Sequence, residues 1–392
     1  MGRTGPGGDA HLRSAPGATM KVLVTGGAGF IGSHVTAALL ARGDAVVCLD
    51  NFNETYDPAR KRRNVAPFLD HPNYRLIVGD IRDPAAVVQA STGVDACIHI
   101  AALAGVRASV RQAVAYAEVN VVGSVRLLEA AREANVHHIV YASSSSVYGR
   151  GVARPTGDGG RGTACRAPTV SPALTTSLPL RSAQEQGSVQ GSDPERSEGE
   201  GAANLTESTV LSEDMPCDRP LAPYAATKRA GELLGYTYHN LYGLNFTALR
   251  LFSVYGPRGR PDMMPYQVTE SIVQRKPIRL FNGGEMWRDW SYIDDIVSGI
   301  LAALDTPLGY EIINLGRGEP VRMGDFVALL EALIGLPAII QAEPAPPTEA
   351  LITAADIRKA RRLLHFNPTT PVNVGLQRFW DWYQREVLYR NT

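Results

Sequence analysis

The sequence predicts an α/β fold, a doubly wound parallel sheet of the Rossmann type with a smaller α/β substrate domain. From Met20 onward, short β-branched runs alternate with longer amphipathic runs, the pattern of a parallel sheet covered by helices. A glycine-rich turn follows the first of these runs directly. After about residue 252 the alternation becomes less regular and Pro-rich segments such as PAPPTEA appear. Because crossovers between parallel strands are right-handed, we expect the ligand site at the carboxyl ends of the strands.

The elements follow from this alternation. Residues 20–251 are the predicted dinucleotide-binding domain, and 252–392 the substrate domain, with some chain exchange between the two. Strands of the first domain are predicted at 21–25, 45–50, 75–79, 95–101, 138–143 and 246–251, with helices around 31–42, 84–91, 114–134 and 223–241. The second domain is predicted to hold short strands at 278–281 and 311–315 and a final aromatic helix around 374–388.

Two segments are predicted to lie outside the fold. Residues 1–19 carry Gly, Pro and single charges without an apolar centre, which predicts a disordered tail and not a secretory signal. Residues 150–210 are dominated by Gly, Ser, Pro, Thr, Glu and Arg, which cannot bury enough apolar surface to offset their ordering entropy. We therefore predict a disordered insertion. The loop-closure cost of such an insertion is roughly 2 kcal/mol or less, so the fold should tolerate it.

Composition excludes several classes of function. The 39 Lys+Arg balance 39 Asp+Glu, so the net charge gives no basis for binding nucleic acid or an anionic membrane. No apolar stretch approaches the length of a membrane span. The four cysteines lack CxxC spacing, which argues against a zinc site and a disulfide framework and is typical of a protein in a reducing cytoplasm.

The turn after the first strand is a dinucleotide-binding motif. It reads TGGAGFIG, and its site positions are Gly26, Gly29, Phe30, Ile31 and Gly32. Glycines at this spacing let the backbone approach a pyrophosphate, which the free N–H groups and positive end of the following helix attract.

Residues after the next strands complete the predicted cofactor site. Asp50 ends the second strand, where its carboxylate would accept hydrogen bonds from the ribose hydroxyls and repel a 2′-phosphate. This favours NAD over NADP. The alternative is that Asp50 is a helix cap or a turn residue. Asn51 follows it. Asp80 and Ile81 follow the third strand, where the acid could reach the adenine amine or simply start a turn. Small residues after the fourth strand, Ala101 and Ala102, would let the cofactor approach the sheet edge.

A tyrosine and a lysine four residues apart form the sharpest catalytic pattern. Tyr224 and Lys228 share one face of a predicted helix, and a serine run, Ser143–Ser146, ends a strand. The pKa of a phenol is near 10, and it must fall by about 3 units, roughly 4 kcal/mol, for the phenol to act as a base near neutrality. A neighbouring ammonium and the nicotinium charge can supply this stabilisation of the phenolate. The alternative for the spacing alone is a surface pair on an amphipathic helix.

In these residues the chain resembles the extended short-chain dehydrogenases. TGGAGFIG, the YxxxK pair, RLFSVYG (250–256) and RDWSYIDDI (288–296) occur in the family's order, and the resemblance covers Met20 to about Val387 except the insertion. It implies bound NAD and a catalytic triad of Ser144, Tyr224 and Lys228. Tyr224 would take the proton of a sugar 4-hydroxyl while hydride passes to NAD, and the rotated 4-keto sugar would take the hydride back. It also implies a homodimer formed through the helices near 114–134 and 223–241.

Within that family, the chain resembles UDP-glucuronate 4-epimerases. Decarboxylases and 4,6-dehydratases of the superfamily carry a glutamate where this chain has Ser146, which favours simple epimerisation. The resemblance implies a UDP-hexuronic acid substrate whose carboxylate is bound by serine hydroxyls. Its 4-keto intermediate is a β-keto acid, which is prone to lose carbon dioxide unless the carboxylate is held in place. The implied substrate residues are Arg107, Ser144, Ser145, Ser146, Ser253, Arg258, which pairs with the carboxylate or fixes its loop, and Arg288, which binds the diphosphate.

Alternatives remain open from sequence. Arg288 can instead form an ion pair with Asp289. His99 is interpreted as a satisfied core histidine, and Asp294-Asp295 as a cap of the helix that follows; no metal site is predicted. The rival functions are a UDP-glucose 4-epimerase, a nucleotide-sugar dehydratase or decarboxylase, and a non-catalytic NAD- or nucleotide-sugar-binding protein.

Overall fold

A computed structural model describes residues 19–150 and 210–388 of the chain. The predicted insertion and, apart from Thr19, the predicted tail therefore lie outside the described residues. In chain order, the strands and helices are β1 (Lys21–Thr25), α1 (Phe30–Ala41), β2 (Ala45–Asp50), α2 (Pro58–Val65), β3 (Tyr74–Val78), α3 (Pro84–Ser91), β4 (Ala96–His99), α4 (Val106–Arg111), α5 (Ala113–Ala117), α6 (Gly123–Glu133), β5 (His138–Ser144), α7 (Pro223–Tyr242), β6 (Asn245–Leu251), β7 (Ser253–Tyr255), α8 (Met264–Val273), β8 (Pro277–Phe281), β9 (Trp287–Tyr292), α9 (Ile293–Asp305), β10 (Tyr310–Leu315), β11 (Pro320–Arg322), α10 (Met323–Ile334), β12 (Ile339–Glu343), β13 (Ile352–Thr353), α11 (Arg358–Leu364) and α12 (Val372–Tyr383).

The predicted fold class is confirmed. Seven strands form one sheet in the order β10-β6-β5-β4-β1-β2-β3, and every pair in it is parallel. The strands are largely apolar because helices cover both faces, and two separate hydrophobic clusters fill the two sides. Each fully buried Leu, Ile or Phe in these clusters contributes about 1.5–3 kcal/mol.

One strand of this sheet comes from the far side of the predicted domain boundary. β10 pairs with β6 in parallel register, from Tyr310 opposite Phe246 to Leu315 opposite Leu251. The remaining strands after residue 252 form two small sheets, one containing β7, β9, β11 and β13, and the other β8 and β12. The chain after residue 252 thus contributes to the large sheet as well as to its own small ones, and the boundary at residue 252 stays a prediction.

The helix predicted at 114–134 is interrupted. α5 and α6 are joined by one turn of π-helix at Glu118–Val122. In a π-helix, each carbonyl accepts a hydrogen bond from the N–H group five residues ahead. By contrast, α7 is continuous. It begins with Pro223 in its first turn and ends at Gly243, whose φ of 68° provides the left-handed C-terminal cap.

Glycines on α7 set how closely this helix lies against the sheet. A Cβ at Gly231 would overlap the hydroxyl of Tyr141 on β5, and one at Gly235 would overlap the ring of Phe246 on β6. Only glycine fits at these two positions, so α7 lies directly against the two strands. This close packing brings Lys228 to the end of β5.

Asp294 and Asp295 do not cap α9, contrary to the sequence-based interpretation. They lie in its first turn, after the N-cap residue Tyr292. Asp295 instead accepts the backbone N–H groups of Thr369 (3.3 Å) and Thr370 (3.1 Å). Asp295 thus serves a tertiary contact about 75 residues away, which a local spacing rule does not reveal.

Candidate active site

A cavity of about 740 Å³ lies at the carboxyl ends of the strands, where the sequence places the ligand site. Its walls come from the glycine turn after β1, the ends of β2, β4 and β5, and the start of α7. A smaller cavity of about 250 Å³ shares Ser144 and Ser253 with it. The two together form an elongated site of the kind that accommodates two adjoining ligands.

The glycine turn has the geometry of an anion cradle. Gly26 adopts φ 72° and donates its N–H to Leu49 O at 2.8 Å, which holds the turn on the end of β2. A Cβ at Gly32 would overlap the carbonyl oxygen of Gly26, so the turn closes only with glycine there. Gly26, Gly29, Phe30 and Ile31 line the large cavity, whereas Gly32 packs behind it. The first helix turn leaves its N–H groups for a bound anion.

Asp50 lies in the wall of the large cavity and caps no helix. Its carboxylate accepts the N–H groups of Ala28 (3.1 Å) and Phe52 (2.8 Å), which ties the glycine turn to the end of β2. Burial raises the pKa of this carboxyl, and the two backbone N–H donors and Lys61 oppose the rise. The carboxylate thus faces the place where an adenosine ribose would lie, next to the cradle.

Asp80 forms hydrogen bonds within the turn after β3 and also lines the large cavity. Hydrogen bonds from Arg82 hold its pKa at about 2, and Asn51 donates to it at 2.8 Å. Ile81, Ala101 and Ala102 also line the cavity. The turn interpretation of Asp80 is confirmed by its acceptance of the Arg82 N–H at 2.8 Å, and the contact with an adenine amine stays a prediction.

Ser144, Tyr224 and Lys228 meet at one end of the large cavity. Tyr224 is partly buried there; this burial raises its pKa, whereas a hydrogen bond with Ser144 and the charge of Arg260 lower it. Lys228 donates to Ala142 O at 2.6 Å, and its burial lowers its pKa to about 7. The surface-pair alternative is wrong, because both side chains line the cavity.

The serine run leads from this end into the smaller cavity. Ser144 Oγ accepts the hydroxyl of Ser146 at 2.9 Å and its N–H at 3.2 Å. Ser145, Ser146 and Ser253 line the smaller cavity. The predicted group of hydroxyls is therefore brought together next to Tyr224.

Two of the three predicted arginines line the cavities. Arg288 lines the smaller cavity and pairs with Glu349 at 3.0 Å. Arg107 lines the large one, with its Nε 3.8 Å from the same carboxylate. Asp289, the alternative partner of Arg288, is buried and instead accepts the backbone N–H of Arg317, Gly318 and Ala355.

Arg258 is the exception: it lines neither cavity, and the prediction that it pairs with the substrate carboxylate or fixes the loop that does stays a prediction. Its guanidinium donates to Ser33 O at 3.4 Å and lies over the ring of Phe68, among residues of α1 and the segment after α2. Sequence reasoning missed Arg260, which does line the large cavity and donates to Ala104 O at 2.9 Å. A second arginine two residues on was visible in GPRGRPDM, but the spacing gave no reason to prefer it.

His99 is a satisfied core histidine, as predicted. Ser124 donates its hydroxyl to Asn120 O (2.6 Å), so its oxygen accepts the Nε2–H of His99 (2.9 Å). Nδ1 then accepts the hydroxyl of Thr25 at 2.7 Å. Burial lowers its pKa to about 3, which keeps the ring neutral.

The described residues offer neither a membrane-spanning helix nor a cluster of metal ligands. Over 19–150 and 210–388, no helix is long and apolar enough to cross a membrane. The same ranges contain no group of three or more His, Cys, Asp or Glu side chains arranged to hold a metal ion.

Comparison with known proteins gives consistent matches. The model of the NAD dependent epimerase/dehydratase family matches residues 22–170 and 199–316. A UDP-glucuronate 4-epimerase of Thermodesulfobacterium geofontis is 36% identical over 368 residues, 93% of this chain and 96% of the relative. UDP-glucuronate 4-epimerase 3 of Arabidopsis thaliana is 37% identical over 394 residues, 95% of this chain and 78% of the relative. The crystal structure of a Bacillus cereus UDP-glucuronic acid 4-epimerase with UDP-glucuronic acid and NAD matches with a TM-score of 0.74 and 31% identity, covering 93% of this chain and 99% of that one.

Proposed function

The chain belongs to the NAD dependent epimerase/dehydratase family, and from this membership we propose that it interconverts UDP-glucuronate and UDP-galacturonate by inverting C4. The observation that carries the proposal is the meeting of Ser144, Tyr224 and Lys228 in the cavity that the glycine turn opens into. The relatives at 36–37% identity over most of the chain act on the same sugar nucleotide by name. The enzyme is thus an NAD-dependent isomerase of nucleotide sugars.

The residues present fit NAD. The glycine cradle leaves room for a pyrophosphate, and the carboxylate of Asp50 suits an adenosine ribose without a 2′-phosphate. When bound, NAD supplies the acceptor and donor of the C4 hydride. We assign Gly26, Gly29, Asp50 and Lys228 to its binding, together with Phe30, Ile31, Gly32, Asn51, Asp80, Ile81, Ala101, Ala102 and Tyr224.

Tyr224 is the proposed acid–base group. Its phenolate takes the proton of the sugar 4-hydroxyl as C4 is oxidised, and the phenol returns it to the 4-keto oxygen on reduction. Ser144, hydrogen-bonded to Tyr224, is placed to hold the same 4-oxygen. Arg260 favours the phenolate by its charge, and we propose that Lys228 in its ammonium form does so too. Inversion requires the 4-keto sugar to turn its other face to the cofactor between the two steps.

The smaller cavity is the proposed site of the hexuronate and diphosphate. Hydroxyls of Ser145, Ser146 and Ser253 line it, and carboxylates accept such donors strongly. Holding the carboxylate still protects the β-keto acid from losing carbon dioxide. Arg288, with Arg107 nearby, is the proposed partner of the diphosphate, and Glu349, which pairs with both arginines, offsets one of their two positive charges.

We also propose a homodimer located in the cytoplasm. Apolar side chains that are at least 46% exposed follow one surface of α5, the π-turn and α7, among them Val114, Val122, Leu233 and Leu241. A surface of this kind is typical of a helix-to-helix subunit contact. Three described cysteines are free thiols, which suits a reducing compartment.

An NMR assay on a panel of UDP-sugars tests the proposed function. Purified protein incubated with UDP-glucuronate should produce UDP-galacturonate without release of carbon dioxide, and denaturation should release NAD, which mass spectrometry detects. Conversion of UDP-glucose but not UDP-glucuronate would identify a neutral-sugar epimerase. Binding of NAD and UDP-sugar without any turnover would identify a non-catalytic protein.

A further inference from the structure

The ammonium of Lys228 has an unusually dry environment. The side chain is 3% exposed, and among the described residues its one hydrogen bond goes to Ala142 O. Loss of water lowers its pKa to about 7, whereas the proposed acidification of Tyr224 needs the charged form. Something in the protein must therefore replace part of the hydration that this cation loses.

Tyr141 presents the face of its ring to that cation. Nζ of Lys228 lies 4.9 Å from the ring centroid, and the ring is 2% exposed. The hydroxyl of Tyr141 finds no hydrogen-bond partner in the described part of the chain, and Gly231 on α7 leaves the space it needs. The hydroxyl thus satisfies no polar group, and the contact that matters here is between the π face and the ammonium.

Among the described residues, the one carboxylate that acts on the Lys228 ammonium is shared with other cations. Glu232, one turn along α7, raises the pKa of Lys228 by its charge, but Arg250 (2.9 Å) and Arg229 (2.7 Å) already pair with it. His99 on β4 is neutral because burial lowers its pKa to about 3. From α7 itself, Tyr224 lines the same cavity as Lys228 and is the group whose acidification we propose.

We propose that Tyr141 is a positioning residue of the reaction, whose ring face stabilises the charged form of Lys228 by a cation–π interaction. The inference rests on the proposed function, because it acts through the ammonium that keeps Tyr224 acidic. An aromatic face within about 6 Å of a cation attracts it electrostatically, and more strongly where water is excluded. Tyr141 lies on β5, three residues before Ser144, and acts on the reaction through Lys228.

The test varies the ring's electrostatics at constant shape. Tyr141→Phe removes the unpartnered hydroxyl, and 3,4,5-trifluorophenylalanine at the same position then withdraws electron density from the ring face. The pKa of Lys228 is read directly by NMR titration of protein labelled with ¹³Cε-lysine, because the chain has only five lysines and Lys228→Met assigns the signal. We expect Tyr141→Phe to keep the pKa of Lys228, and fluorination to lower it by about 1 unit. The alkaline limb of the kcat profile should move to lower pH by the same amount.

The matched control places trifluorophenylalanine at Phe246, a buried ring on β6 whose centroid is 5.6 Å from that of Tyr141. It should leave the Lys228 titration in place, and a comparable shift there would overturn the inference. So would identical Lys228 titrations for phenylalanine and its fluorinated form at position 141. The proposed function is judged separately, by wild-type turnover of UDP-glucuronate, since the titration needs no substrate.

Discussion

Replacing Tyr224 by Phe removes one hydroxyl from the site and tests its chemistry directly. The ordinary phenol pKa is near 10, and burial raises it further. Bringing it to neutrality requires at least 3 units, or about 4 kcal/mol, of preferential stabilisation of the phenolate. The hydrogen bond from Ser144 and the charge of Arg260 lower the pKa of Tyr224, and the ammonium of Lys228 is the further source that we propose.

Without the hydroxyl, Ser144, Arg260 and Lys228 have no phenolate to stabilise, and the proton of the sugar 4-hydroxyl has no acceptor in reach. We expect kcat for UDP-glucuronate to fall by about 10²–10⁴-fold with little change in KM, since the ring and its contacts remain. The rate is followed by NMR of the sugar anomeric signals. NAD released from the variant should equal that of the wild type.

Tyr238→Phe is the control, because Tyr238 lies on the same helix and its hydroxyl bonds to Glu129 away from the cavity. It should cost about 1 kcal/mol of stability and leave turnover unchanged. A Tyr224→Phe enzyme that turns over at the wild-type rate would refute the assignment of the base. An equal loss in both variants would show that the helix, and not the phenol, was disturbed.

Three further predictions follow from single contacts. Gly32→Ala should abolish NAD retention, measured by mass spectrometry after denaturation, because the new Cβ overlaps the carbonyl of Gly26; full NAD content would contradict this. Arg260→Leu should move the acid limb of the kcat profile to higher pH, because the charge of Arg260 lowers the pKa of Tyr224. An unmoved limb would show that Arg260 does not set the pKa of the catalytic base. Asp289→Ala should lower the free energy of unfolding by about 3 kcal/mol or more in a denaturant titration, because three backbone N–H groups lose their buried acceptor; a change below about 1 kcal/mol would mean that water replaces it.

The sequence predicted the parts of the fold whose signal is local. Strand positions agree within a residue or two at most ends because β-branched runs and their turns mark them, and the glycine turn needs no tertiary information. The Tyr224 and Lys228 pair was found for the same reason. Its proximity to Ser144 came from the resemblance, since no local rule brings together residues on both sides of the insertion.

What the sequence missed depends on backbone turns and distant partners. Arg258 adopts φ 60°, so the chain reverses between the two arginines of its loop and sends them to different neighbours. No composition rule predicts a left-handed arginine. Asp295 was misread because its partners, Thr369 and Thr370, are far along the chain. The role suggested for Tyr141 was likewise invisible, because it depends on how closely α7 packs on β5.

The position of β10 beside β6 bears on how this protein can be cut or recombined. A fragment ending at residue 252 would leave β6 as a bare edge, with backbone groups open to pairing with another copy and to aggregation. During synthesis, the seven-stranded sheet cannot be completed until Leu315 has emerged from the ribosome. Chimaeras between enzymes of this kind should therefore place their junction after that strand, so that β6 and β10 come from the same parent.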